Sequence, residues 1–170
     1  MRILGAFVWF MLVTLLLRST ALTALAARGL VFDVLAFATV VWALGWGETW
    51  GVSFGFALGL ATDLDAAHWL GRHALALALI GYTVGRLSHT LVRDRARVQA
   101  VLILLATVLH QSWAACFEIG KLTGWPYVLE RVALAAVVTA PVGTFLLALV
   151  RRASGQPLFT HAAVEPGPTG

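Results

Sequence analysis

The chain has 170 residues, 60% of them hydrophobic and only 12% charged, with a mean hydropathy of +0.87. A soluble domain is about half apolar and a quarter charged, so charge this sparse cannot cover a water-facing surface, and lipid must be the solvent for most of the protein. The net charge of +4 is not arranged as a basic patch with stacking aromatics, which argues against nucleic acid, and the single cysteine, Cys116, excludes an intramolecular disulfide or a CxxC site.

The N-terminus, MRILGAFVWFMLVTLLLRST, has the early Arg and apolar core of a signal peptide. The core is long and another apolar run follows at once, so it reads as a retained first helix over residues 3–24. Arg18 lies near its far end, where it can snorkel to the interface. Ala27-Arg28-Gly29 breaks the run, and a second helix is expected over 31–45, with Asp33 in its first turn where an anion suits the helix dipole. The stretch GWGETWG (45–51) reads as an interfacial turn. A third helix over 52–65 and a fourth over 73–87 are short for a bilayer that needs about 20 residues. They either span with polar ends buried in protein or form a re-entrant hairpin. A basic loop at 86–97 holds Arg86, Arg93, Arg95 and Arg97. A fifth helix follows over 98–119 and carries His110, Gln111 and Trp113; the loop GKLTGWPYVLER leads to a sixth over 132–150. The seven tryptophans, most near predicted helix ends, suit an aromatic belt.

The expected fold is therefore an all-α integral membrane protein of about six transmembrane helices over 1–152, with a disordered Gly- and Pro-rich cytoplasmic tail over 153–170. One side of the membrane receives Arg2, Arg86, Arg93, Arg95, Arg97, Arg151 and Arg152; the other receives Arg18, Arg28, Arg72, Lys121 and Arg131. The dense clusters share the side of the N-terminus, so the positive-inside rule puts both termini in the cytoplasm. The basic loop would then face anionic lipids.

Gly51, Gly55, Gly59 and Asp63 recur every four residues and share a broad helix face; Gly81 and Gly85 repeat the spacing on the fourth helix. Glycine faces let helix backbones approach closely. The preferred reading is packing of the third helix on the fourth, with docking of a partner helix as the alternative. Asp63 stands at the C-terminal end of its helix, where the dipole disfavours an anion, and Arg72 and His73 are its nearest candidate partners. This polar node either shapes a pocket or partner site or fixes the hairpin as a buried pair; in both readings Asp63→Ala impairs function or accumulation. A metal site from Asp63, Asp65, His68 and His73 fits no standard ligand spacing, and His110 and Gln111 read as lone polar groups bonding neighbouring helices. There is no GxSxG, HExxH or GxxxxGKS motif. No enzyme and no cofactor are expected.

LLLRSTAL (15–22), Phe32-Asp33, and above all GFALGLATDLDAAHWLGRHALALALIGYTVGRLSHTLVRDRARVQAVL (55–102) stand in an order that resembles the MreD family of rod shape-determining proteins over residues 3–150. Two departures are Phe32, where family members often carry Pro, and Asp65-Ala66-Ala67, where they often carry small polar residues. The resemblance implies a non-enzymatic scaffold or regulator of the cell-elongation complex in the bacterial inner membrane. It would partner an MreC-like protein and, through it, a RodA-type glycan polymerase, its transpeptidase and MreB filaments, in support of peptidoglycan synthesis and cell shape. It also implies a fold similar to the substrate-binding subunits of energy-coupling-factor transporters. The alternative is such a subunit itself, binding a vitamin-like solute; those subunits commonly carry AxxxA in the first helix, and here the alanines at 6, 21, 24, 26 and 27 are never four apart. A proton-coupled carrier using Asp63 is a weaker third reading.

Overall fold

The computed structural model describes residues 2–22, 31–66, 70–88, 96–118 and 125–154. These form α1 (Arg2–Leu17), extended by a π-helical turn at Arg18–Leu22, then α2 (Val34–Ala66), α3 (Arg72–Leu87), α4 (Ala96–Glu118) and α5 (Trp125–Ser154). Among the described residues, three segments are long and apolar enough to cross a membrane: Ile3–Thr20, Ala96–Phe117 and Val128–Val150. Large apolar side chains stand exposed along them, among them Leu4, Trp9 and Leu16 on α1, Leu105 on α4, and Val137 and Phe145 on α5. In water such surfaces would associate; in lipid they are the expected outer face. The expected tail from residue 155 onward, the turn at 27–29, His68, and Arg93 and Arg95 of the basic loop lie outside the described residues.

The helix count differs from the expectation of six. The described residues form five α-helices, because the predicted second and third are one helix, α2, interrupted at a single residue. The anticipated seven-residue turn contracts to Gly47, whose φ of 82° and ψ of −169° are outside the helical region. A side chain at that φ would be strained, and glycine is not. The consequence is large-scale. Asp33 and Asp63 are thirty positions apart, about 45 Å of straight helix, yet both ends of α2 reach one polar cluster, described below. The limbs 34–46 and 48–66 therefore fold back on each other about Gly47.

α1 closes over this bend with aromatic rings. Phe7 meets Trp42 edge-on at 5.6 Å between centroids and Phe54 at 5.3 Å, while Phe10 stacks on Trp42 at 5.7 Å. Trp42, from the first limb, stacks on Phe54, from the second, at 5.0 Å. Such ring pairs each add about 0.5–1.5 kcal/mol beyond burial. Trp42 is 6% exposed and belongs to the core, not to the interfacial belt that the tryptophan count suggested. Ala36, Val40 and Leu44 of the first limb, Leu58 of the second, Leu77 and Ile80 of α3 and Ile103 of α4 complete that core.

α3 packs on the second limb of α2 with almost nothing between the backbones. A Cβ placed at Gly55 would collide with the carbonyl of Leu77, one at Gly59 with the backbone of His73 and Ala74, and one at Gly81 with the backbone of Gly51. Gly85 lies equally close to Gly47 and Glu48, so this contact runs up to the bend itself. The four-residue glycine spacing thus produces a helix pair whose side chains are excluded from its own interface.

Candidate functional site

The glycine packing delivers the end of α2 to the start of α3, and Asp63 occupies the junction. Its carboxylate accepts the backbone N–H of Gly71 at 2.9 Å, of His73 at 3.1 Å and of Ala74 at 3.1 Å. These are among the donors that a helix N-terminus leaves unpaired. Gly71, the residue before α3, takes φ 95° and offers no side chain as a cap; a carboxylate from the preceding helix takes that role. The dipole conflict raised by the position of Asp63 resolves here, because the anion at the C-terminal end of α2 sits against the positive end of α3. The oxygen Oδ1 also lies 2.7 Å from His73 Nδ1. Arg72 enters differently: its carbonyl accepts from Trp113 Nε1 at 3.0 Å, and its guanidinium lies 5.9 Å from the Phe117 ring centre.

The same device recurs at the other end of α2. Asp33 precedes the helix, and its Oδ1 accepts the N–H of Ala36 at 3.1 Å, the N-cap bond. Its second oxygen lies 2.6 Å from His110 Nδ1 and accepts from Gln111 Nε2 at 3.0 Å, both on α4. Its backbone N–H donates to Thr139 Oγ1 of α5 at 2.9 Å. Asp33, Asp63, His73 and His110 are all buried.

The two dyads are in contact. The His73 and His110 rings lie 5.4 Å apart, centre to centre. One chain of polar groups, Asp63–His73–His110–Asp33, therefore joins both ends of α2 to the start of α3 and to α4, with Thr139 bringing in α5. In a bundle with a lipid exterior, each unpaired member would carry a heavy desolvation cost. Paired, the chain fixes which helix ends meet. Among the described residues, His110 Nε2 is buried without a hydrogen-bond partner, and no group of three or more His, Cys, Asp or Glu is placed to hold a metal ion.

The sequence-derived node Asp63, Arg72 and His73 thus comes together in part, with His73 as the side-chain partner and Arg72 acting through its carbonyl. Gly51, Gly55, Gly59, Gly81 and Gly85 face one another and leave no surface for a docking helix. Of the basic loop, Arg86 bonds Tyr82 Oη at 2.9 Å and Arg97 is exposed. Sequence reasoning missed the second dyad. Asp33 was visible as a helix-start residue and His110 as an intramembrane polar group, but 77 positions separate them and no local pattern links them. The one available signal was that two buried acids and two buried histidines each need a partner.

Comparison with curated proteins and with solved structures gives no match. The expected likeness in fold to energy-coupling-factor subunits is therefore not shown by these comparisons. A family model described as the rod shape-determining protein MreD matches residues 1–149, and on that extent the chain belongs to the MreD family.

Proposed function

We propose a reading that starts from the role in rod shape determination that family membership implies. Within that role the chain is a non-enzymatic membrane scaffold of the cell-elongation complex, binding an MreC-like partner and, through it, supporting lateral peptidoglycan synthesis. The observation that carries the reading is the family match over residues 1–149. Supporting it is the character of the polar cluster, whose carboxylates are all engaged in capping helix ends and pairing imidazoles. That is the chemistry of a rigid, self-consistent bundle able to present fixed surfaces to partners. The basic residues around the α3–α4 connection would meet anionic lipid at the cytoplasmic face, with both termini on the same side and the chain in the inner membrane.

A tagged copy isolated from native membranes tests the proposal. The expected result is recovery of an MreC-like protein together with a glycan polymerase. Recovery of a transport ATPase in their place would overturn the reading in favour of a solute-binding subunit.

A further inference from the structure

Beside the core, where α1 ends, a groove of about 410 Å³ opens between α1 and the second limb of α2. Its volume is in the range of small-ligand pockets, about 300–1,000 Å³. The floor is apolar: Leu12, Leu15 and Leu16 from α1 and Ala61 from α2. The far end is charged with both signs, Arg18 from the π-helical turn and Asp65 from the last turn of α2, 3.8 Å apart. The Asp65 side chain is 82% exposed and that of Arg18 33%. Arg18 also lies near the end of the candidate span Ile3–Thr20, the depth at which lipid hydrocarbon gives way to headgroups. The turn that carries Arg18 is π-helical, a rare geometry that is frequent at functional sites.

From this juxtaposition we infer that the groove is a binding site for one membrane phospholipid with an ethanolamine headgroup. The apolar floor takes the upper part of an acyl chain, Arg18 takes the phosphate, and Asp65 takes the ammonium. Charge complementarity selects this occupant. A guanidinium presents paired N–H donors to a phosphate, and a carboxylate accepts hydrogen bonds from a primary ammonium. A choline headgroup has the same net charge but no N–H to donate, and a glycerol headgroup leaves the anion of Asp65 facing a net negative lipid. The Arg18–Asp65 contact, 3.8 Å long with the Asp65 carboxylate largely in solvent, is worth little by itself, so a zwitterion inserted between the two charges replaces one weak contact with two.

The test is native mass spectrometry of the full chain released from vesicles of equimolar phosphatidylethanolamine and phosphatidylcholine with matched acyl chains. The wild-type protein is expected to retain the ethanolamine lipid several-fold over the choline lipid. Asp65→Asn is expected to bring that ratio down to the bulk value of the vesicle, and Arg18→Gln to lower retention of both. Ala61→Leu, which narrows the floor and leaves the charges in place, is expected to lower retention of both as well. Asp65 is exposed enough that its substitution leaves folding intact, so the ratio it produces reads the site and not the fold. Equal retention of the two lipids by the wild-type chain, or an ethanolamine preference that survives Asp65→Asn, would overturn the inference.

Discussion

The two ends of α2 carry the same chemistry at very different sequence distances. At one end Asp63 caps α3 and pairs with His73, ten positions away. At the other, Asp33 caps α2 itself and pairs with His110, 77 positions away. The first dyad is a hairpin closing on itself: the glycine contact holds α2 and α3 together, and the carboxylate finds the nearest unpaired donors. The second closes only when the whole bundle is assembled, because α4 and α5 must both reach the start of α2. The comparison teaches that a polar pair can be either a local latch or a check on the global arrangement, with identical residue types in each role.

The sharpest way to break this distinction is to remove each acid in turn. Asp33→Ala leaves His110 Nδ1, Gln111 Nε2 and the Ala36 N–H without their acceptor among apolar helices, and is expected to cost about 3–5 kcal/mol, the penalty for breaking a buried charged pair. The loss should be seen as a lowered unfolding midpoint in detergent. Asp63→Ala uncovers donors next to exposed Leu70 and half-buried Gly71, where water can replace part of what is lost, so its cost should be smaller. If Asp63→Ala proves the more damaging, the distinction between latch and global check is wrong.

Next in size, Gly55→Ala separates the two ends. The added methyl meets the Leu77 carbonyl, which is backbone and cannot swing aside, and overpacking of this kind costs about 1–3 kcal/mol. Since α3 must shift, the His73 imidazole nitrogen resonances are expected to move while those of His110 change less. Equal displacement of both would mean that the two dyads behave as one unit. The smallest effect is expected from Asp63→Asn. The amide oxygen still accepts backbone N–H bonds at the start of α3, and the loss is the difference between a charge-assisted and an ordinary hydrogen bond, about 1 kcal/mol. The unfolding midpoint should fall between those of the wild-type chain and Asp63→Ala.

The legibility of these features from the sequence follows the same divide. The glycine repeat at 51, 55 and 59, with 81 and 85, indicated a close helix pair because the period of a helix is a local property. It did not distinguish internal packing from partner docking, since a glycine face is the same whoever covers it. Asp63 and His73 were paired from proximity alone. The same grounds offer Arg72 as a partner of Asp63, yet its carbonyl accepts from Trp113 of α4, a residue no local argument brings near. The position of Trp42 near a predicted helix end suggests an interfacial belt, and three aromatic rings from two other parts of the chain make it core.

Composition by itself determined the solvent, the helical class and the approximate positions of the helices, because a backbone in lipid must satisfy its own hydrogen bonds within each segment. The tertiary structure alone decided that the break near residue 47 is one left-handed glycine, that both ends of α2 return to a common point, and that His110 belongs to Asp33. These depend on contacts between segments far apart in the chain, and the energy that selects them, close packing and the pairing of buried charge, exists only once the helices have met.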